Sequence, residues 1–192
     1  MINNETFRAI GIIGKPLKQS LSPYLHNYWI SKYNLSSYYL PLPINDISNL
    51  KETIKKLNFY GLNITIPYKK SIIEQLDLLD KSAKEIQAVN TIIYKNRTLT
   101  GYNTDIIGFK KGILKKYWNK KRPVFVFGAG GAAESVLHFL KLENIKDIIL
   151  VNRTKRRAEQ MLKKYKNIKI TKNFIIDIKE AGLIVNTSSL GM

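Results

Sequence analysis

The sequence predicts an α/β fold with mainly parallel strands, and three observations support this prediction. Short apolar runs alternate with helical patterns along the chain, as they do in βαβ units. One of these runs leads directly into a glycine-rich segment and a further helical pattern, at residues 123–142. With 192 residues, of which 44% are hydrophobic, the chain can form one sizeable domain or two small ones.

The first half of the chain is predicted to form one sheet with flanking helices. Ser22, followed by Pro23, has the pattern of a helix N-cap with proline at the first helical position. Asp46 is the expected cap of the next helix. The expected strands are residues 8–14, 37–42 and 61–66 and a hairpin of 88–94 with 98–102, and the expected helices are 22–34, 46–57 and 69–84.

A connecting helix over residues 104–116, capped by Thr104 or Asp105, marks the expected domain boundary. It separates a first domain of residues 1–105 from a second domain of residues 106–192. In the second domain we expect strands at 123–127, 147–151 and 183–186 and helices that end near Leu142 and Tyr165.

The composition excludes several classes of protein. A chain without cysteine has neither disulfides nor thiolate metal sites. The first residues show no signal peptide, and no stretch approaches the about 20 apolar residues of a membrane span, so we expect a cytoplasmic protein without a membrane partner. His26 and His138 each lie in a helical pattern without a nearby second ligand, and no metal site is expected.

The net charge of +18 has two possible readings. A strongly basic chain can bind nucleic acid. However, 26 of the 32 basic residues are lysines that are scattered along the chain, which is typical of AT-rich coding DNA, and no nucleic-acid partner is expected. The part after Asp105 has 19 basic and 6 acidic residues, a difference of +13, which favours an anionic ligand there.

The segment Gly128–Ala133 (GAGGAA) has the position of a dinucleotide-binding turn, between a strand and a helix. Gly128 permits the tight turn, Gly130 lets the backbone approach a pyrophosphate, and Ala133 keeps the helix close to the strand. Helix N–H groups would face the phosphate charge. A structural glycine turn in another α/β domain is the alternative.

The segment after the next strand favours NADP over NAD. An NAD-binding domain usually places a carboxylate here for the ribose 2′-hydroxyl, and this chain has Asn152, Arg153 and Thr154, with Arg157 beyond them. Arginine offers charged donors that match a 2′-phosphate. Ordinary surface arginines at a helix start are the alternative.

Polar residues of the first half point to a small-molecule site. Ser20 and Ser22 precede a helix and suit a carboxylate, although capping alone also explains Ser22. Asn63 and Thr65 share one face of a strand, which an edge strand would also explain. The remaining candidates are Lys69, Asn90 and Asp105, which lie at the ends of apolar segments, and spacing alone does not bring them together.

The motifs in order resemble those of the NADP-dependent shikimate dehydrogenases. They are GKPLKQSLSPYLHN (14–27), GLNITIPYK (61–69), AVNT (88–91), GYNTDIIGF (101–109), GAGGAA (128–133), NRTKRRAE (152–159) and NTSSLGM (186–192). Together they cover nearly the entire chain, so the set is far more specific than any single motif.

The resemblance implies a fold and an activity. The fold would be an N-terminal α/β substrate domain followed by a Rossmann-type NADP-binding domain. The activity would be the reversible reduction of 3-dehydroshikimate to shikimate, with NADP as cofactor, in the biosynthesis of chorismate and the aromatic amino acids. Lys69 and Asp105 would be the catalytic pair, because the lysine charge stabilises a developing alkoxide and the carboxylate positions the lysine.

The resemblance also implies which residues bind the ligands. Ser20 and Ser22 would bind the substrate carboxylate, and Asn63, Thr65, Lys69, Asn90 and Asp105 would surround the ring hydroxyls. The cofactor residues would be Gly128, Ala129, Gly130, Gly131 and Ala132 at the pyrophosphate, Asn152, Arg153, Thr154 and Arg157 at the 2′-phosphate, and Thr187, Ser188 and Met192 towards the nicotinamide.

Relative to the family pattern the sequence ends early, at Met192 in the NTSSLGM motif, so the nucleotide domain is expected to be incomplete. A non-catalytic remnant is therefore one alternative to the dehydrogenase, and a quinate/shikimate dehydrogenase is another. A homodimer is a further expectation.

Overall fold

The computed structural model describes residues 7–113, 118–171, 178–188 and 190. The chain divides into two compact units, Met1–Thr104 and Asp105–Met192. Each unit has its own sheet and its own cluster of buried apolar side chains.

The first unit is built on a six-stranded mixed sheet. Its strands are β1 (Arg8–Ile13), β2 (Ser37–Leu42), β3 (Phe59–Ile64), β4 (Leu78–Leu79), β5 (Thr91–Lys95) and β6 (Thr98–Tyr102), in the order β2-β1-β3-β5-β6-β4. β1 pairs in parallel with β2 and β3, and β4 with β6, whereas β5 is antiparallel to both β3 and β6. The helices are α1 (Ser22–Lys32), α2 (Leu50–Lys56) and α3 (Lys81–Ile86), with a 3-10 helix at Ser71–Gln75.

The two faces of β3 differ as the sequence predicted. Leu62 and Ile64 are buried in the core, whereas Asn63 is only partly buried on the other face. The strand was expected to reach Ile66, but β3 ends at Ile64, the chain turns after it and Ile66 is 49% exposed.

The hairpin of β5 and β6 is confirmed. Its turn residues Asn96 and Arg97 have φ values of 50° and 61°, so both are left-handed. Turns of this kind match the twist of the flanking strands.

Two of the expected helix caps in the first unit are wrong. Leu21, not Ser22, is the N-cap of α1, because the backbone of Leu21 is already helical and Ser22 is the first helical residue. Asp46 instead accepts hydrogen bonds from the amide and hydroxyl of Ser48, which closes a turn before α2, and Asn49 is the N-cap of that helix.

The helical segments expected over residues 69–84 are only partly confirmed. The structure has a 3-10 helix, the short strand β4 and then α3. The Asp77 carboxylate accepts the Leu99 amide at 2.9 Å, which ties the segment to the sheet. The Asp80 carboxylate accepts the Ser82 amide at 2.9 Å and begins α3.

The second unit contains a parallel sheet. Its strands are β7 (Val124–Phe127), β8 (Ile148–Val151), β9 (Ile168–Ile170) and β10 (Leu183–Asn186), in the order β10-β7-β8-β9. All three pairings are parallel. The helices are α4 (Asp105–Gly112), α5 (Gly131–Leu142) and α6 (Lys155–Lys164), with a 3-10 helix at Ile178–Glu180.

Helix α5 is central to the second unit, since its residues from Ala133 to Leu140 are all buried. Phe139 meets Phe109 of α4 edge-to-face at 5.3 Å between ring centroids. The predicted strands and helices of this unit are confirmed within about two residues, except that α4 ends at Gly112 and the expected continuation over 114–117 lies outside the described residues. β9 was not predicted.

Candidate functional site

In the first unit, candidate substrate residues lie in loops at the C-terminal ends of neighbouring parallel strands. The loop after β1 and the turn after β3 are joined by the Lys15 amide, which donates to the Ile66 carbonyl at 2.9 Å. A Cβ at Gly14 would overlap Cγ2 of Thr65, so this close approach requires glycine. The loop that bears Ser20 is thereby fixed beside Thr65.

Ser20 and Ser22 lie at the start of α1, and both are partly buried. The Ser22 amide points towards the Ser20 hydroxyl oxygen at 3.4 Å. The Ser22 side chain lies near enough to the phenol of Tyr39, in β2, to lower the pKa of that phenol. The pair therefore presents two hydroxyls beside a helix N-terminus, which suits a carboxylate.

Asn63 is held by partners on both sides. Its Oδ1 accepts a hydrogen bond from the Tyr39 hydroxyl at 2.7 Å, and its Nδ2 lies 3.4 Å from the Asn90 carbonyl and 3.3 Å from the Thr91 hydroxyl. Hydrogen bonds thus connect two of the predicted residues, Asn63 and Asn90, with each other and with Tyr39.

Asn90 and Thr104 bind each other reciprocally. The Asn90 amide donates to the Thr104 hydroxyl at 2.9 Å, and its Oδ1 accepts the Thr104 backbone amide at 3.0 Å. These bonds join the end of the segment before β5 to the last residue of the first unit.

Lys69 lies in the turn after β3 and is partly buried. Its backbone is anchored, because its carbonyl accepts the Val89 amide at 2.7 Å. Asp105 is the first residue of α4, and it too is partly buried. The two belong to different units, so the expected approach of their side chains stays a prediction.

In the second unit, the glycine turn has the geometry of an anion site. Gly128 has a φ of 110°, and a Cβ there would lie 2.6 Å from the Thr187 hydroxyl. At Gly130 a Cβ would meet no atom within 4 Å, so the space in front of this residue is open. Gly130 is the N-cap of α5 and no side chain caps the helix. The first-turn N–H groups therefore fit a pyrophosphate.

The loop between β8 and α6 fits a second phosphate group. Arg153 and Arg157 are exposed, and the Asn152 amide donates to the Thr154 carbonyl at 2.8 Å, which shapes the loop. The stretch from Asn152 to Arg157 contains no acidic residue. This donor set suits a 2′-phosphate better than a free ribose hydroxyl.

Thr187 and Ser188 follow β10 and border the glycine turn. The Thr187 hydroxyl donates to the Phe127 carbonyl at 2.7 Å, and the Asn186 side chain accepts the Ser188 amide at 3.0 Å. Met192, the last predicted cofactor residue, lies outside the described residues.

Two residues of the candidate site were missed by sequence reasoning as functional groups. Tyr39 is 2% exposed and donates a hydrogen bond to Asn63, one of the predicted residues. Thr104 was considered only as a helix cap. Tyr39 stands in a strand with a second tyrosine beside it, and no sequence signal distinguishes which of the two faces inward.

Comparison with known families identifies the chain. Residues 12–92 match the family described as "Shikimate dehydrogenase substrate binding domain". Residues 112–187 match the family described as "Shikimate / quinate 5-dehydrogenase". The chain belongs to the shikimate dehydrogenase family. The resemblance in the motifs is therefore confirmed, as is the α/β fold.

Individual members of the shikimate dehydrogenase family agree over nearly the whole chain. The NADP(+) shikimate dehydrogenase of Pelagibacter ubique is 41% identical over 185 residues, covering 94% of this chain and 69% of the relative. The crystal structure of shikimate dehydrogenase from Aquifex aeolicus has a TM-score of 0.87 at 37% identity, covering 100% of this chain and 72% of that chain. The structure from Thermus thermophilus in complex with NADP(H) and shikimate has a TM-score of 0.81 at 28% identity, covering 95% and 69%.

A metal site would show as a cluster of ligating side chains, and a membrane span as a long apolar helix. Within the described ranges, no group of three or more histidine, aspartate or glutamate residues is arranged to hold a metal ion. Among the helices of the same residues, none is both long and apolar enough to cross a membrane.

Proposed function

We propose that this chain catalyses the NADP-dependent interconversion of 3-dehydroshikimate and shikimate, a step of aromatic amino acid biosynthesis. One observation carries the proposal: the second unit has an open glycine turn followed by two exposed arginines, and the first unit of the same chain gathers hydroxyl and amide groups at the ends of its strands. The groups in the second unit fit a phosphorylated dinucleotide, and those in the first unit fit a small polyhydroxylated acid.

The first unit is proposed to bind the substrate. The Ser20 and Ser22 hydroxyls would donate to the carboxylate, next to the N-terminus of α1. The proposed ligands of the ring hydroxyls are Asn63, Thr65, Lys69 and Asn90 of this unit, together with Asp105, the first residue of the second unit. Once substrate covers these partly buried amide and hydroxyl groups, analogues that lack a hydroxyl are rejected, because the partners would then remain unsatisfied.

The second unit is proposed to bind NADP. The pyrophosphate would lie against residues 128–132, where the backbone N–H groups of α5 begin, and the 2′-phosphate against Asn152, Arg153, Thr154 and Arg157. Thr187, Ser188 and Met192 are the proposed neighbours of the nicotinamide end.

The proposed chemistry is one hydride and one proton transfer. The cofactor, when bound, supplies or accepts the hydride at nicotinamide C4. In the reducing direction the hydride adds to the ketone carbon of 3-dehydroshikimate, and the Lys69 ammonium gives a proton to the carbonyl oxygen. Asp105 holds the ammonium against that oxygen, so positive charge is present where negative charge develops.

The test is whether the chain oxidises NADPH in the presence of 3-dehydroshikimate, measured as the fall in NADPH absorbance. Turnover with 3-dehydroshikimate and little with 3-dehydroquinate supports the proposal. The reverse preference would favour a quinate dehydrogenase, and binding of both ligands without turnover would favour a non-catalytic protein.

Two finer expectations stay predictions. The homodimer is tested by sedimentation velocity of the purified chain, in which a single species of twice the chain mass is expected. The cytoplasmic location is tested by fractionation of cells that express the chain.

A further inference from the structure

We propose that Tyr39 is a positioning residue that holds the side-chain amide of Asn63 in one orientation and thereby prepares it for substrate. The inference rests on the proposed function for the role of Asn63 as a substrate ligand. Tyr39 itself is not proposed to touch substrate.

The sheet register brings the two side chains to one face. Tyr39 pairs with Ile10, and Asn63 pairs with Ile12, two residues further along the same central strand β1. Side chains two residues apart lie on the same face of a sheet. The Tyr39 hydroxyl crosses this face and donates to Asn63 Oδ1 at 2.7 Å.

The Tyr39 ring is fixed by contacts from α1. The Asn27 side chain accepts the Tyr39 amide and donates to the Tyr39 carbonyl, both at 2.9 Å. The His26 ring stacks on the phenol with centroids 4.3 Å apart and an interplanar angle of 4°. Burial lowers the pKa of His26, which disfavours a charged imidazole in this stack. Tyr39 is thus a rigid donor.

This donor determines which way the Asn63 amide faces. A phenol has a single hydrogen, and Tyr39 commits it to Asn63 Oδ1. The Asn63 carbonyl therefore faces Tyr39, and its amino group faces Thr91 and the Asn90 carbonyl through contacts of 3.3 and 3.4 Å. These long contacts alone hold the amide weakly.

Removal of the phenol hydroxyl would release the amide. In Tyr39→Phe the ring and its stacking remain, but Asn63 Oδ1 loses its donor and the amide can rotate to present carbonyl where it had presented N–H. Tyr38 offers a matched control, because it is the preceding residue of the same strand, is 57% exposed and can receive the same Tyr→Phe change.

The first experiment is independent of substrate. In NMR spectra of the full chain labelled with ¹⁵N, the Asn63 side-chain NH₂ resonances are compared in wild type, Tyr39→Phe and Tyr38→Phe. We expect them to shift and to exchange faster with solvent only in Tyr39→Phe. Unchanged Asn63 resonances in Tyr39→Phe would overturn the inference.

The second experiment measures shikimate binding by calorimetry in a double-mutant cycle with Asn63→Ala. We expect Tyr39→Phe to raise the Kd about tenfold in the wild-type background, as for a lost hydrogen bond, and by less than about twofold when Asn63 is already alanine. An equal rise in both backgrounds would mean a general structural effect and would also overturn the inference. If Asn63→Ala does not fold, Asn63→Ser takes its place.

Failure of the proposed function gives a different result. A wild-type chain that does not bind shikimate would refute the role of this site in substrate binding, whereas the NMR comparison would still decide whether Tyr39 orients Asn63.

Discussion

Lys69 is placed by its backbone, and its proposed role depends on its ammonium group. Its carbonyl is tied to the Val89 amide, so truncation of the side chain leaves the turn in place. We therefore expect Lys69→Ala to lower kcat by about 100- to 10,000-fold, the usual contribution of a general acid, with NADP affinity nearly unchanged. Steady-state kinetics and titration with NADPH are the measurements. Lys70→Ala, which removes the adjacent exposed lysine, is the control and is expected to keep wild-type turnover.

Arg153 is the residue on which cofactor choice is expected to depend most. It is exposed on the loop that precedes α6, in a stretch without carboxylates. Loss of a charge-assisted hydrogen bond should weaken NADP binding by about 10- to 100-fold in Arg153→Ala. NAD, which lacks the 2′-phosphate, should bind equally well to both proteins. Fluorescence titration measures both affinities.

Arg156→Ala is the matched control for this change, because it removes the same charge three residues further along, in the first turn of α6, at a position outside the proposed site. An equal loss of NADP affinity in the two variants would mean that net charge attracts the cofactor and that Arg153 makes no specific contact.

Tyr39 predicts a stability change in alkaline solution. Burial raises the pKa of its phenol from 10.0 to about 12, although the nearby Ser22 side chain opposes the shift. Because the folded pKa lies above the unfolded one, the contribution to stability is complete below pH 10 and is lost as the pH rises to about 12. We expect the difference in Tm between wild type and Tyr39→Phe to shrink over this range, whereas Tyr38→Phe should follow wild type. A constant difference would contradict the assigned pKa.

At the scale of elements, the turn between β7 and α5 contains two glycines with different expected roles, Gly128 for the fold and Gly130 for cofactor binding. Gly128→Ala places a methyl group 2.6 Å from the Thr187 hydroxyl at a φ of 110°, so we expect a loss of stability of about 1–2 kcal/mol or more. Gly130→Ala meets open space with a φ of −102°, which alanine adopts readily. We expect its Tm to equal that of wild type and its NADP affinity to fall.

Thermal unfolding without ligand and titration with NADP distinguish the two glycine variants. Normal NADP affinity in Gly130→Ala would mean that the pyrophosphate does not approach this residue.

The sequence predicted those elements whose ends are determined by local chemistry. The Asn96-Arg97 turn, the strand before Gly128 and α5 follow from turn preferences and from apolar patterns that match a single secondary structure. The errors occurred where distant backbone groups compete for side chains. The Asp77 carboxylate accepts the amide of Leu99, 22 residues away, and the segment after Asp77 forms a short strand although its sequence has a helical pattern.

The candidate site shows the same limit. Asn63 and Asn90 could be singled out because each lies in a short motif, GLNITIP and AVNT, but Tyr39 reaches Asn63 only through the register of β2 on β1. The sequence near Tyr39 does not indicate how β2 pairs with β1. The separation of Lys69 and Asp105 along the chain is a similar problem, since the two belong to different units.

At the scale of the whole molecule, the two units are expected to respond to different ligands. A ligand that binds only the folded state, at a concentration of 100 times its Kd, stabilises that state by about 2.7 kcal/mol. Because the proposed NADP contacts all lie in the second unit, we expect NADP to slow amide hydrogen exchange at β7, the glycine turn and the start of α6. Shikimate should slow exchange around Ser20, the end of β3 and Asn90.

Hydrogen exchange with mass spectrometry, on the full chain with each ligand alone, measures this division. The Arg153→Ala variant is the control for NADP, since at the same NADP concentration its second unit should show less protection while the effect of shikimate persists. Protection by NADP of residues 7–104, without protection of the second unit, would contradict the assignment of the cofactor to the second unit. Protection of both units by either ligand would mean that binding at one unit stabilises the other. In that case, a mutation in the site of the ligand that is present should weaken the protection of both units.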